Sequence, residues 1–313
     1  MKRALFILLL LCAVLFSGCS SQSQQGAEKK VYASTYPVYY LTGRIAENGI
    51  EVAAVVPSSA DPHNWEPSPR QMAELESCKL FIYNGAGLEP WADKVSSLAG
   101  DNDTAVLELA SVFQGQLIDG SGEKTGSPGE RHPEDHNHEW DPHFWLDPVM
   151  AKEMAVAIRE ALIQVDPDNK ELYVENCAAL EQDLDKLHEE YTSTLSRCRK
   201  KEFVVTHQAF GYLAKRYGLE QISVMGISSE SEPSPSRLAE LTKLLKESNI
   251  RCIFTEPFTG EKVAQTLAAE TGGEVLELNP IGGLTETQME SGEDYLSIMR
   301  KNLEQLKVAL EYE

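Results

Sequence analysis

The chain has 313 residues, with 49 acidic and 28 basic side chains and a formal net charge of −21 at pH 7. This acidic balance argues against nucleic acid as a partner and is compatible with attracting cations from solution. About 285 residues follow the N-terminal region, and because single cores stop growing at roughly 250 to 300 residues, two lobes are favoured over one.

The N-terminus is typical of a secreted lipoprotein. A basic pair precedes an apolar run from Ala4 to Phe16, which is too short to span a bilayer and predicts a signal peptide over residues 1–18. Small residues stand before Cys19, as in a bacterial lipoprotein cleavage box, so we expect Cys19 to be acylated. Residues 19–29 are polar and predict a flexible tether. The rest of the chain is then expected outside the cytoplasm, anchored to the membrane by lipid; secretion without acylation is the alternative.

Short apolar segments alternate with helical patterns through residues 30–167, which predict an N-terminal α/β lobe. Four strands are expected, at residues 30–34, 52–56, 80–83 and 105–109. The segment 119–140 follows the last of them. It is rich in Gly, Glu and His and poor in residues that could form a core, which predicts a disordered loop.

A long helix is predicted to connect two lobes. Asp168 can cap it, and apolar side chains recur along residues 168–198, mostly at spacings of three and four. About 28 residues at 1.5 Å each give a rod of roughly 40 Å, which can run the height of both lobes. Residues 199–313 then repeat the alternation and predict a C-terminal α/β lobe. Its strands are expected at residues 203–205, 221–225, 252–254 and 274–278.

An internal repeat indicates that the two lobes share one sequence pattern. Residues 66–75 (EPSPRQMAEL) match residues 232–241 (EPSPSRLAEL), and residues 34–41 line up more weakly with residues 206–213. Chance similarity of Pro/Ser turns is the alternative. Strands that alternate with helices imply parallel sheets with helices on both faces. The predicted fold class is therefore α/β, with two similar lobes, each a mainly parallel sheet flanked by helices, joined by one long helix.

Cysteine chemistry gives little information about function. Cys78 and Cys252 each open an apolar run and are expected in the core, and no pair has the close CxxC spacing of a thiolate metal site. A disulfide among Cys78, Cys177, Cys198 and Cys252 is possible, but the sequence does not assign one.

Three histidines lie in separate, punctuated contexts: His63 in DPHNW, His143 in DPHFW and His207 in THQAF. They are too far apart in sequence for one helix or loop to gather them, so only the fold can bring them together. Ligands of parallel α/β sheets sit beyond the carboxyl ends of the strands. His207 directly follows a predicted strand, and His63 follows another after a short turn. Converging imidazoles would bind a borderline transition metal.

The chain resembles the ZnuA-like metal-binding proteins, the cluster A-I substrate-binding components of zinc and manganese ABC importers. The resemblance covers essentially the whole mature chain. It rests on the lipoprotein box and on the segments 60–69 (ADPHNWEPSP), 84–89 (NGAGLE), 141–148 (DPHFWLDP) and 206–212 (THQAFGY). It implies two lobes joined by one helix, with the metal in the cleft between them.

The same resemblance implies a role and a site. His63, His143 and His207 fall on the family's three histidine ligand positions. The chain would be a monomeric extracytoplasmic protein that captures Zn²⁺ and delivers it to a membrane permease powered by a cytoplasmic ATPase. A manganese- or iron-binding importer component of the same family, or a zinc-dependent adhesin, is the alternative.

The fourth ligand is where this sequence departs from many relatives. Asn279 stands near a strand end where manganese-type members place a carboxylate. A neutral amide suits Mn²⁺ poorly, whereas Zn²⁺ accepts three imidazoles with a water or one carboxylate, so zinc is favoured. Glu256 is the acidic candidate for the fourth ligand or for a group that contacts it; capping of the following helix is the alternative.

The histidines of the 119–140 loop carry a separate hypothesis. Similar loops in zinc-specific relatives are thought to gather metal, so His132, His136 and His138 are expected to collect zinc weakly near the cleft mouth. A solvated loop with incidental histidines is the alternative.

An enzyme has to be weighed as well, since three histidines with an open water position also form the metal site of hydrolytic zinc enzymes. The sequence has no HExxH helix, no Gly-x-Ser-x-Gly elbow and no obvious oxyanion donors beside the histidines. These absences favour a binding protein over an enzyme.

Overall fold

The computed structural model describes residues 30–99, 104–120, 140–227, 233–258 and 260–313. The N-terminal lobe contains one four-stranded sheet in which every pair of neighbouring strands is parallel, in the order β2-β1-β3-β4. The strands are β1 (Val31–Ala33), β2 (Val52–Ala54), β3 (Leu80–Tyr83) and β4 (Ala105–Glu108). The helices between them are α1 (Tyr36–Ala46), α2 (Pro69–Glu76) and α3 (Ala92–Ala99).

Two long helices lie between the sheets. A short 3-10 turn, Phe144–Leu146, precedes α4 (Pro148–Val165), and α5 (Lys170–Leu195) follows. At 26 residues, α5 is about 39 Å long. The expected cap is wrong, because Asp168 lies in a separate 3-10 turn and the residue before the helix is Asn169, whose side chain makes no capping hydrogen bond.

The C-terminal lobe repeats the first. Its strands, all parallel, have the order β6-β5-β7-β8, the same arrangement as in the N-terminal sheet. They are β5 (Glu202–Val205), β6 (Glu220–Ser223), β7 (Cys252–Thr255) and β8 (Glu274–Glu277). The helices are α6 (Gly211–Tyr217), α7 (Pro235–Glu247), α8 (Glu261–Thr271), α9 (Glu286–Glu290) and α10 (Tyr295–Ala309). The predicted fold class is confirmed.

The matching sequence segments begin equivalent helices. Ser68 caps α2 by accepting the backbone N–H of Gln71, and Ser234 caps α7 by accepting that of Arg237. A proline follows each serine at the first helical position, where its missing N–H and fixed φ are tolerated. The Ser-Pro pair therefore marks the same helix start in both lobes.

The core is arranged so that the lobes share their interior. One continuous cluster of buried side chains includes residues of β1, α1, α4, α5, α6 and α10, and so crosses from one lobe to the other. Each lobe also has one smaller cluster of its own, which lies under its outer helices. Helix α5 buries Tyr173, Cys177, Leu180, Leu184, Leu187, Tyr191 and Leu195, one side chain for each turn. The cysteines at 78, 177, 198 and 252 are buried and form no disulfide with one another.

No helix within the described ranges is long and apolar enough to cross a membrane.

Candidate metal centre

His63 lies in the loop between β2 and α2, at the carboxyl end of the N-terminal sheet. The Asp61 carboxylate accepts the backbone N–H of His63 at 3.0 Å, which folds the Asp-Pro-His segment into a tight turn. The His63 side chain is half-buried. Its Nε2 atom faces Nε2 of His143 at 3.2 Å.

His143 lies in a second Asp-Pro-His turn, which here also fixes the ring. Asp141 Oδ1 accepts the backbone N–H of His143 at 2.9 Å and lies 2.8 Å from its ring Nδ1. A ring that donates Nδ1–H to a carboxylate keeps the lone pair of Nε2 for another partner. The turn is held by both lobes: Asn84 donates to the carbonyl of Pro142 at 3.0 Å, and Tyr212 donates to that of Asp141 at 2.7 Å.

His207 lies just beyond the end of β5. Its Nε2 is 2.6 Å from the carbonyl oxygen of Ile227, which can only accept, so Nε2 carries the proton and donates it. Nδ1 lies 2.9 Å from Glu256 Oε1. Neither of these two atoms has a hydrogen-bond partner of good geometry among the described residues. The carboxylate oxygen can therefore bind a cation, and so can Nδ1 once its proton is displaced.

The three rings converge. Their centroids are 5.2 Å apart for His63 and His143, 5.3 Å for His63 and His207, and 4.9 Å for His143 and His207. One nitrogen from each lies within 4.8 Å of the other two. Metal–nitrogen bonds of 2.0–2.1 Å in a tetrahedral site separate neighbouring ligand atoms by about 3.3 Å. The 3.2 Å between the two Nε2 atoms is close to that value.

The rings enclose a small cavity that Glu256, Trp145 and Asn279 also line. Its volume is about 30 Å³. One water occupies about 10–15 Å³ on this measure, so the space holds a single ion with little else and excludes sugars, amino acids and peptides. His143 and His207 are 1% and 3% exposed, so an ion held here would be almost fully removed from solvent.

The cavity sets different protonation states for the rings. Burial, with the neighbouring His143 and His207 rings, lowers the pKa of His63 to about 3, and burial also lowers the pKa of His143 well below 6.5. Burial opposes protonation of His207 too, but the Glu256 carboxylate and the Ile227 carbonyl outweigh it and raise the pKa of that ring. Burial raises the pKa of Asp141 to about 7. Two rings are therefore neutral and ready to bind a cation at pH 7.

Asn279 lines the cavity, but its amide oxygen is already occupied. Oδ1 accepts the backbone N–H of Ile281 at 2.7 Å, and Asn302 clamps the Asn279 backbone through two hydrogen bonds of 2.9 and 2.7 Å. The remaining side-chain atom, Nδ2, is buried without a partner among the described residues. An amide N–H is a donor and cannot coordinate a cation, and Oδ1 is neutral and already accepts one hydrogen bond, so Asn279 is a weaker candidate ligand than the Glu256 carboxylate.

Sequence reasoning missed two groups of this site. The motifs include Asp141 but give it no role of its own, although the repeated Asp-Pro-His tripeptide is a signal that its carboxylate sets the turn. The Ile227 carbonyl, which fixes the tautomer of His207, left no signal because a backbone oxygen has no residue identity. His132, His136, His138 and Cys19 lie outside the described residues.

The fold is a two-lobed α/β scaffold, and its cavity has the size of a single ion and is lined by three imidazole rings. The sequence model of the family described as "ZnuA: Zinc-uptake complex component A periplasmic" matches residues 31–309. The chain belongs to this family.

Relatives of known name are similar over nearly the whole chain. The high-affinity zinc uptake system protein ZnuA of Bacillus subtilis is 36% identical, over 96% of this chain and 95% of the relative. The zinc-binding lipoprotein AdcA of Streptococcus pneumoniae is 35% identical over 100% of this chain, which spans 62% of the length of AdcA. A mutant structure of the laminin-binding adhesin Lmb of Streptococcus agalactiae superimposes with a TM-score of 0.78 at 34% identity, covering 90% of this chain and 99% of the adhesin.

Proposed function

We propose that this protein is the extracytoplasmic substrate-binding component of an ABC importer, and that its substrate is Zn²⁺. The convergence of His63, His143 and His207 on one cavity of ionic size carries the proposal. Imidazole nitrogens suit Zn²⁺, while Mn²⁺ and Mg²⁺ prefer sites built mainly from oxygen. The names of the Bacillus and Streptococcus pneumoniae relatives support zinc over manganese or iron.

The proposed ligands are Nε2 of His63, Nε2 of His143, Nδ1 of His207 and Oε1 of Glu256. Glu256 is included because its oxygen lies 2.9 Å from Nδ1 of His207 without forming an aligned hydrogen bond. That separation is near the spacing of adjacent ligands in a tetrahedral zinc site, about 3.3 Å. Three neutral imidazoles and one carboxylate leave the bound ion a net charge of +1.

Asp141 supports this shell from behind. Its carboxylate orients the His143 ring and raises the basicity of Nε2, as outer carboxylates do in zinc sites. A closed four-ligand shell, with no position left for a reactive water, suits capture and delivery and does not suit hydrolysis. The protein is therefore proposed to be a carrier and not an enzyme.

Delivery follows from the family description as a component of a zinc-uptake complex. The partners are then a membrane permease and its ATPase, and acylation of Cys19 would keep the loaded monomer beside them. His132, His136 and His138 would gather zinc near the cleft and pass it to the buried site. The Lmb relative is described as a laminin-binding adhesin, so binding of the zinc-loaded protein to laminin is the measurement that would support adhesion.

Metal analysis tests the assignment. The mature chain from residue 20 is stripped with a chelator, exposed to equimolar Zn²⁺ and Mn²⁺, and desalted. We expect one equivalent of zinc and little manganese, and loss of that zinc in a His143→Ala, His207→Ala double variant. Deletion of residues 121–139 should leave the single tight equivalent unchanged. Retention of manganese over zinc, or no retained metal, would overturn the proposal.

A further inference from the structure

Two consecutive glycines, Gly282 and Gly283, lie where the C-terminal lobe meets the loop that carries His63. They follow β8 and face the segment from Ser58 to Pro62. A Cβ atom built on Gly283 would lie 2.1 Å from the carbonyl oxygen of Ser58, and one built on Gly282 would lie 3.2 Å from Pro62 Cγ. The first distance is far inside any possible contact, and the atom it meets belongs to the backbone and cannot rotate away.

A hydrogen bond lies at the same point. The backbone N–H of Leu284 donates to the Ser58 carbonyl at 2.7 Å, so the two lobes are joined there by main-chain atoms. From Ser58 the chain reaches His63 through two tight turns: Ala60 N–H donates to the Pro57 carbonyl at 2.9 Å, and Asp61 receives the N–H of His63. The position of the Ser58 carbonyl therefore helps to set the position of the His63 ring.

Gly283 does not adopt a backbone conformation that requires glycine. Seven glycines of the described chain have positive φ, and Gly282 and Gly283 are not among them. What a side chain at 283 would disturb is the close approach of the two loops. His143 and His207, in contrast, are held by contacts on other segments, the Asp141 carboxylate and the Ile227 carbonyl.

We propose that Gly283 is a positioning residue for His63: it lets the Leu284 N–H reach the Ser58 carbonyl, and this contact holds the His63 ring against the His143–His207 pair. The inference rests on the proposed role of these histidines in zinc binding. A side chain at 283 pushes the loops apart and moves the His63 nitrogen away from the site, while the nitrogens of His143 and His207 remain in place.

Glycine substitutions of graded severity test the inference. Gly283→Ala is compared with Gly282→Ala, whose Cβ meets only the flexible ring of Pro62, and with Gly43→Ala on α1, whose Cβ meets nothing within 4 Å. Zn²⁺ affinity is measured by chelator competition. We expect at least a tenfold loss for Gly283→Ala, on the scale of other losses of ligand support, a smaller loss for Gly282→Ala and no change for Gly43→Ala.

The same substitution in a His63→Ala background separates positioning from general damage. If Gly283 acts through His63, Gly283→Ala costs zinc affinity in the native chain and nothing further once the ring is absent. The visible spectrum of bound Co²⁺ should change in the same way for Gly283→Ala and His63→Ala. Native affinity in Gly283→Ala, or an equal additional loss in both backgrounds, would refute the inference.

Two other outcomes remain interpretable. If Gly283→Ala does not fold, Gly282→Val, which presses on Pro62 next to His63, must show the same dependence on the His63 ring, and equal losses in both backgrounds would refute the inference. If the native chain itself binds no zinc, the proposed function fails. If the native chain binds zinc and Gly283→Ala binds it equally well, only the positioning role of Gly283 fails.

Discussion

Zinc affinity should fall as pH falls, and the protonation states of the groups around the cavity determine how steeply it falls. Burial with the neighbouring rings lowers the pKa of His63 to about 3, and burial lowers the pKa of His143 well below 6.5, so Zn²⁺ displaces no proton from either ring at neutral pH. The pKa of His207 is raised, and that of Asp141 is about 7. These two groups carry the protons that Zn²⁺ has to displace, one from the imidazolium and one from the carboxyl.

The sign follows from the direction of each shift. A raised pKa means that the proton competes with zinc up to a higher pH, so affinity is fully present above the pKa and is lost as pH falls through it. Each displaced proton changes the binding free energy by about 1.36 kcal/mol per pH unit. Two protons therefore give about a hundredfold loss of affinity per unit below both pKa values. Three histidines of ordinary pKa would approach a thousandfold.

Calorimetric titration in buffers of different ionisation enthalpy counts the protons, and chelator competition gives the affinity at each pH. We expect about two protons released per zinc at pH 5 to 6. Asp141→Asn should lower the number of protons released by one. It should also weaken zinc binding roughly 10–100-fold, because an amide does not orient the His143 ring and raise its basicity as a carboxylate does. Release of three protons, or an affinity that does not change between pH 8 and 5, would refute the reasoning.

Three further predictions concern stability and selectivity. Zn²⁺ at a hundred times its Kd should raise the free energy of unfolding by about 2.7 kcal/mol, measured by thermal denaturation. The same metal concentration should stabilise a His143→Ala variant much less. Equal stabilisation of the two proteins would show that the ion binds elsewhere. Asn279→Asp keeps an acceptor for the Ile281 N–H and adds an anionic oxygen beside the cavity. Mn²⁺ affinity should therefore rise at least tenfold relative to Zn²⁺ affinity in direct competition. An unchanged ratio of the two affinities would show that residue 279 does not face the ion. Ser68→Ala and Ser234→Ala should each lower the free energy of unfolding by about 1 kcal/mol in urea titrations, with zinc affinity unchanged; a neutral effect at either position would show that its cap does not stabilise the helix.

Much of the fold was predictable because its signals are local. All eight strands lie where short apolar segments predicted them, within one or two residues, and the long helix was visible as a recurring apolar stripe. The start of that helix was not predicted correctly. Asp168 and Asn169 both have side chains that can cap, and Pro167 starts a 3-10 turn that moves Asp168 out of the capping position.

The candidate donor atoms of the site could be named from residue types alone. Residue types and motifs named His63, His143, His207 and Glu256 as candidate ligands, and the repeated EPSP segment predicted two similar lobes. These features are readable because donor atoms and helix starts belong to particular side chains.

The use of those side chains depends on contacts that exist only in the folded chain. The Ile227 carbonyl selects which nitrogen of His207 is free, and the Ile281 N–H occupies the amide oxygen of Asn279. The Ser58 carbonyl explains why residue 283 has no side chain. All three partners are backbone atoms, two from other loops and one, the Ile281 N–H, from the loop that carries Asn279 itself. Since every residue has the same backbone, such contacts leave no mark on the sequence.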